Sequence, residues 1–367
     1  MLYNGRMSER PRVLVAMSGG VDSAVAAALL HQQGYDVVGV TMRLYTEADE
    51  TALHSRRACC GIEDVADARA AAQRIGIPHY VLNMEREFGE DVIDRFVQAY
   101  AEGRTPNPCL ACNQHVKFST LLDRAVAMGC DLLATGHYAR VDRAEDGRYR
   151  LRAAVDPLKD QSYVLYTLDQ SALARTLFPL GDLPKTETRR IAAALGLPVA
   201  DKPDSADICF VPGGDYRELL RARGVAFEAG EVVDAAGNLI GTHEGAAGYT
   251  VGQRRGLGLA AGERRYVTEI RPESNVVVVG DLDDLSSTAL WAGEPSWVGA
   301  PPAPVEVLTA RVRYHGATVE ARVSECSATG FRVDCARPVR AVAPGQAVVL
   351  YRGDEVVGGG TIERRLA

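Results

Sequence analysis

The sequence predicts an α/β protein: a mostly parallel sheet with helices on both faces, joined to a small β-rich central domain and a C-terminal β-barrel. Three observations predict it. Apolar runs alternate with helical patterns from residue 12 to about 139. Glycine recurs every few residues after about 212. From about 286 the chain consists of Val- and Ile-rich runs between turn residues. The expected domains are 1–211, 212–285 and 286–367, in keeping with two or three domains for 367 residues.

The elements follow in order. RVLVAM (12–17) is a strand, SGGVDS a glycine turn, and AVAAALLHQQG a helix ending at Gly34. DVVGVTMRL (36–44) returns as a strand, which completes a βαβ opening. An Ala-rich helix spans 62–75, and IPHYVLNM (77–84) is the third strand. Residues 88–101 read as a helix, with Phe88, Val92, Phe96 and Tyr100 four apart. EGRTPNPCLACNQ (102–114) reads as a loop, because two prolines, two asparagines and a glycine punctuate it. Phe118–Met128 is a helix, 130–139 a strand and 161–178 helical. A proline-entered helix follows within FPLGDLPKTETRRIAAALGL, and 202–211 is a loop feeding a strand. The last 80 or so residues fit a small closed barrel.

Composition limits the function. The chain is 47% hydrophobic and 24% charged, with 41 basic and 48 acidic residues and a net charge of −7, so a nonspecific polybasic binder is excluded. Eight cysteines are too sparse for a disulfide scaffold, and Cys59–Cys60 and Cys109-x-x-Cys112 point to metal, cluster or thiol chemistry in a reducing compartment. No apolar stretch reaches 18 residues and the first dozen residues lack a signal-peptide core, so the expected location is the cytoplasm, without a membrane partner. Of the 41 cations only four are lysine, which reads as compositional bias.

Ser18-Gly19-Gly20-Val21-Asp22-Ser23 sits where the first strand becomes a helix. Glycines there let backbone N–H groups close on an oxyanion, and the helix N-terminus adds a favourable dipole. Ser18 and Ser23 can donate to phosphate oxygens. Asp22 cannot, so its role runs through a divalent cation or through orienting neighbours. The pattern is neither GxGxxG nor a Walker loop; a serine-capped tight turn is the plain alternative. This loop resembles the PP-loop of ATP pyrophosphatases. MSGGVDS, GRTPNPCxxCN, ATGHYAR, KDQSYVL, FPLG, KPDSADICFV, YTVGQRRGL and Arg313-Tyr314, in that order, resemble the bacterial tRNA-specific 2-thiouridylases.

That resemblance implies ATP-dependent 2-thiolation of the wobble uridine, position 34, in tRNAs of the Lys, Glu and Gln type. It implies an ATP-binding catalytic first domain and a tRNA-contacting barrel. ATP contacts fall on Ala16, Met17, Ser18, Gly19, Gly20, Val21, Asp22 and Ser23, with Met42 and Gly136, and Mg²⁺ accompanies ATP. Cys112 is the implied nucleophile and Cys209 the persulfide carrier, with a Cys112–Cys209 disulfide as a by-product. Asn107, Pro108, Cys109, His137, Lys159, Asp160, Gln161, Arg313, Tyr314 and Gln346 are the implied tRNA contacts. A sulfur relay protein or cysteine desulfurase supplies the persulfide. Cys109 stands where some relatives carry Asp, which leaves a [4Fe–4S] cluster on Cys109, Cys112 and Cys209 open, and zinc as well. Cys59 and Cys60 are either a sulfur relay accessory or a plain helix start. Arg254, Arg255 and the cluster Arg140, Arg143, Arg148, Arg150 and Arg152 are candidate phosphate contacts. An amidating PP-loop ligase and a noncatalytic RNA scaffold are the rival readings.

Overall fold

The computed structural model describes residues 10–45, 62–204, 208–211, 214–258 and 264–366. Cys59 and Cys60 lie outside the described residues. The chain forms two compact units: one runs as far as Asp91 and again from Cys109 to Gly214, the other takes Val92–Pro108 and everything from Asp215 on.

The first unit is built on β1 (Arg12–Ala16), α1 (Val21–Gln32), β2 (Asp36–Arg43), α2 (Ile62–Ile75) and β3 (His79–Asn83). A helical run in three pieces follows, Glu85–Phe88, Gly89–Asp94 and Arg95–Ala101 (together α3), and it carries the chain into the second unit. A second run is also in three pieces, Pro108–Ala111, Cys112–Leu121 and Leu122–Ala127 (together α4). Then come β4 (Leu132–Thr135), the hairpin β5 (Ala139–Arg143) and β6 (Tyr149–Ala153), α5 (Gln170–Leu173), β7 (Thr176–Leu177) and α6 (Lys185–Ala194). The sheet order is β3-β2-β1-β4-β7, all pairs parallel. Alternation sends Val13 and Val15 to one face, into a core with α1, Ala68, Ala71 and Ala72 of α2, and Ala192 of α6. The small side chains let three helices approach the sheet closely, and α1 is buried on nearly every side.

Several expectations need correction. Residues 108–114 are helical, not loop: Pro108 takes the first helical position, where its missing N–H costs nothing. Cys112 therefore stands on a helix. The strand expected over 130–139 stops at Thr135, because the chain turns at Gly136 against the glycine loop. The expected helix 161–178 is a 3₁₀ turn (Ser162–Leu165), the short α5 and the edge strand β7. Asp169 caps α5 through Ala172 N–H (2.8 Å), which starts that helix late. No strand forms over 208–211, a turn closed by Val211 N–H to Ile208 O at 3.0 Å.

The second unit carries two sheets. After α7 (Tyr216–Ala222), a helix the glycine-rich texture did not suggest, four strands order as β10-β11-β8-β9: β8 (Gly230–Val233), β9 (Leu239–His243), β10 (Tyr266–Arg271) and β11 (Val276–Gly280). Six strands then form the barrel: β12 (Ser286–Trp297), β13 (Leu308–Arg311), β14 (Val319–Cys326), β15 (Gly330–Arg340), β16 (Ala347–Arg352) and β17 (Glu355–Leu366). They follow the order β12-β15-β14-β13-β16-β17, and β12 pairs β17 to close the ring. Leu290, Val323, Val333, Leu350 and Phe331 fill it.

Candidate active site

The strand order reverses between β1 and β4, so a crevice opens beyond their carboxyl ends, where ligands bind in sheets of this kind. The loop after β1 lies there. Its base is pinned: Met17 N–H donates to Val40 O (2.7 Å), and the fully buried Thr41 hydroxyl donates to Met17 O (2.8 Å) while sharing a hydrogen bond with His79 Nε2 (2.9 Å). Gly19 has φ +72°, and a Cβ there would sit 2.4 Å from the Asp64 carbonyl oxygen, so only glycine fits. Ser23 Oγ accepts from Ser18 N–H (3.1 Å) and donates to Gly20 O (3.2 Å). The first intrahelical bond of α1 runs from Ala24 to Gly20 (3.3 Å), which leaves the N–H groups ahead of it for an anion. Gly136, after β4, abuts this turn: a Cβ would lie 2.7 Å from Ser23 N. Met42 ends β2, 7% exposed.

Asp22 is the centre of a charged network. Lys185 Nζ donates to both its oxygens at 2.7 Å, and the Tyr138 hydroxyl donates to Oδ1 at 2.8 Å. Burial pushes the Tyr138 phenol up, and the Asp22 charge adds to it, so it stays a donor. Lys185 is buried and also reaches Asp204 (2.8 Å), which Lys159 (2.7 Å) and Arg189 (2.8 Å) bind as well. Burial opposes ionisation of Asp204, but the bonds from Lys159 and Lys185 win and hold its carboxyl at about 2. Lys202 Nζ binds Asp64 and Asp67, each at 2.6 Å, and Gly19 O at 3.1 Å. Burial works against the Lys202 ammonium, yet the two aspartates raise its pKa. Lys185, Lys202, Asp204 and Tyr138 were not singled out from the sequence. The available signal was lysine itself: three of the chain's four lysines stand in this network.

Cys109, Cys112 and Cys209 lie in the first unit. Cys109 is exposed in the first turn of α4, and Cys112 is half-buried one turn on. Asn113, beside it, is buried and donates to Val164 O (2.9 Å), fixing that helix on the 3₁₀ turn. Cys209 is half-buried; its neighbour Phe210 packs edge-on against Phe88, with ring centroids 5.8 Å apart. Among the described residues no group of three or more His, Cys, Asp or Glu is gathered to hold a metal ion. Cys109 and Cys112, three residues apart on α4, can share a helix face.

The remaining candidates are placed as follows. His137 is buried between Phe118 and Phe178 with Nδ1 2.7 Å from Thr135 Oγ1. Burial first, then the Lys117 charge, drives its pKa well below 6.5. Lys159 pairs with Asp204, Asp160 is buried and accepts from Ala154 and Ser162 N–H (3.1 Å each), and Gln161 Oε1 accepts from Tyr138 N–H (2.9 Å). On the β5–β6 hairpin, Arg150 pairs both oxygens of Asp142 and Arg143 lies over the Tyr149 ring. In the second unit Asn107 is half-buried, Pro108 buried, and Arg254, Arg255 and Arg313 exposed. The Tyr314 ring lies 4.2 Å from that of His315, and Gln346 Nε2 donates to Thr105 O at 2.8 Å.

A parallel sheet with a glycine-and-serine anion loop at its switch point, braced by lysine–aspartate pairs, defines a PP-loop nucleotide-binding protein. Family models match three stretches: a tRNA methyl transferase HUP domain over 11–213, a tRNA methyl transferase PRC-barrel domain over 220–281, and an aminomethyltransferase beta-barrel domain over 287–362. Relatives named tRNA-specific 2-thiouridylase MnmA match almost end to end. The one from Carboxydothermus hydrogenoformans is 49% identical over 97% of this chain and 99% of its own. That from Chloroflexus aurantiacus is 51% identical over 96% and 98%, and that from Acidothermus cellulolyticus 50% over 96% and 98%. The chain belongs to the tRNA-specific 2-thiouridylase family.

Proposed function

We propose that this protein uses ATP to convert the wobble uridine of tRNA to 2-thiouridine, acting as a tRNA-uridine 2-sulfurtransferase. The observation that carries the reading is the loop Ser18–Ser23 at the sheet's switch point, with Asp22 held by Lys185 and Tyr138. The α1 N-terminus and the loop N–H groups take phosphate oxygens. Lys185 and Lys202 offset charge as pyrophosphate departs. Asp22 fits a magnesium ion that arrives with ATP, since such an ion needs only one or two carboxylates beside phosphate oxygens; the ion would neutralise part of the triphosphate charge.

The chemistry takes two steps. Uridine O2 attacks the α phosphate and pyrophosphate leaves. The activated C2 then accepts sulfur: either the outer sulfur of a Cys209 persulfide attacks C2, AMP leaves, and the Cys112 thiolate then attacks Cys209 Sγ, breaking the S–S bond and freeing the 2-thio group; or Cys112 attacks the persulfide first and frees hydrosulfide, which displaces AMP from C2. Either route leaves a Cys112–Cys209 disulfide that a reductant must open. A persulfide-carrying relay protein or a desulfurase is the sulfur source. Asn107, Pro108 and Cys109 meet the target base, which leaves the loosely stacked anticodon loop at little cost. The barrel residues Arg313 and Tyr314 contact tRNA.

The test is incubation with undermodified tRNA, ATP, cysteine and a desulfurase, followed by nucleoside mass analysis. Formation of 2-thiouridine only when ATP is present is the expected result. Cys112→Ser and Cys209→Ser should abolish it while tRNA-dependent ATP–pyrophosphate exchange persists. No sulfur gain with the unaltered protein defeats the reading.

A further inference from the structure

The central domain carries an arginine turn that the reaction above leaves unused. Gly252 (φ +90°) and Gln253 both stand opposite Val267 of β10: Gly252 N–H donates to Val267 O (2.8 Å), and Val267 N–H donates to Gln253 O (2.9 Å). Two residues facing one make a glycine β-bulge, which bends the chain and re-aims the side chains that follow. Those side chains are Arg254 and Arg255, both exposed. Paired backbones lie about 5 Å apart, so the exposed Arg264, three residues before Val267, starts from the same end of the pairing. The turn is firmly built. Gln253 Oε1 accepts from Thr250 N–H (3.1 Å), and its Nε2 donates to Arg255 O (2.9 Å). Leu257 plugs the turn into a core with Val232, Val267, Val277 and Val279.

Several exposed guanidiniums of this unit are neutralised: Arg223 by Asp94 (2.6 Å), Arg271 by Glu269 (2.9 Å) and Arg352 by Glu306 (2.6 Å). Arg254, Arg255 and Arg264 pair with no carboxylate among the described residues. The geometry points to a binding site for tRNA backbone phosphates on the central domain, made by Arg254, Arg255 and Arg264 and shaped by Gln253, a site that rests on the functional reading above and adds to the contacts named there. The guanidinium fork matches phosphate oxygens. On a chain of net charge −7, a polyanion is drawn only to places where cations stand unpaired. A protein partner would need an apolar anchor at the centre of the patch, whereas Val251 and Leu257 are both buried. Phosphate contacts position RNA without reading its sequence, so the site serves every substrate tRNA alike.

Arg254→Ala, Arg255→Ala and Arg264→Ala should each raise the Kd for undermodified tRNA about threefold to tenfold, the scale of one net hydrogen bond, and lower the slope of log Kd against log salt by about one. Arg254→Lys/Arg255→Lys keeps both charges and should hold the slope. Gln253→Ala should weaken binding with the slope unchanged, since it loosens the turn and removes no charge. The kcat at saturating tRNA and the KM for ATP should stay within about twofold, because a backbone contact acts on binding alone. An unmoved Kd and slope in the alanine variants would overturn the proposal and turn the search to an acidic protein surface. A raised KM for ATP with an unmoved slope would overturn it in favour of nucleotide phosphate. A slope that falls as far with lysine as with alanine would overturn it in favour of a structural role. If the unaltered protein makes no 2-thiouridine, the functional reading fails, whereas the salt slope still reports on this site.

Discussion

Replacing Lys185 with Met tests the charged network most directly. The ammonium makes two bonds to Asp22 and one to Asp204, all at 2.7–2.8 Å, and is only 9% exposed. Without it two carboxylates face each other across the space it filled. Stripping one partner from a fully buried pair costs about 3–5 kcal/mol. Here the Asp22 and Asp204 side chains are 32% and 34% exposed, and Asp204 keeps Lys159 and Arg189, so the cost falls to about 1–3 kcal/mol. For a unit of this size that lowers Tm by a few degrees, at roughly 2–4 °C per kcal/mol. The effect on adenylation is larger, because the same ammonium would meet phosphate charge: loss of one such donor costs about 10²–10³ in kcat. Thermal melts and tRNA-dependent pyrophosphate exchange read the two effects. A second change, Asp22→Asn, removes the stranded charge, so Asp22→Asn/Lys185→Met should regain most of the lost stability but none of the activity. Exchange within twofold of the unaltered rate in Lys185→Met, or strictly additive stabilities in the double variant, would refute the reasoning.

Gly19→Ala should raise the KM for ATP and lower stability by about 1–3 kcal/mol, since its φ is +72° and its Cβ would strike the Asp64 backbone; unchanged kinetics and melts would contradict this. His79, His137 and His243 all have pKa values lowered first by burial. Below about pH 6.5 the unfolded chain takes protons that these folded histidines refuse, so unfolding becomes easier as pH drops. Urea midpoints should decline from pH 7.5 toward 5.5, and His243→Asn should flatten that decline. Arg254→Ala/Arg255→Ala should weaken tRNA binding and reduce the slope of log Kd against log salt by up to about two, if both exposed guanidiniums meet phosphates. An unaltered slope would remove them from the interface.

The opening βαβ unit was legible because each signal acts locally: apolar strands, a glycine turn and an Ala-rich helix agree over residues 12–44. The barrel was legible from Val and Ile alternation. Reading failed where a boundary depends on context. Pro108 breaks chains in most settings but opens a helix when it comes first, and the run 161–178 lost its helix to a cap at Asp169. Within the site, the loop announced itself by composition, whereas Lys185 and Lys202 meet it from 160 or more residues away in sequence, and Asp204 joins through Lys185. Tertiary pairing of that kind leaves no periodic trace.

The scarcity of lysine has a practical consequence. Nearly every cation on this chain is a guanidinium, inert to amine reagents, and three of its four ε-amines ring the nucleotide loop. Those three amines are ion-paired, so they acylate slowly, and their slow modification can be followed against few other amines. Protection of those amines by a bound triphosphate would report occupancy site by site, without any engineered label.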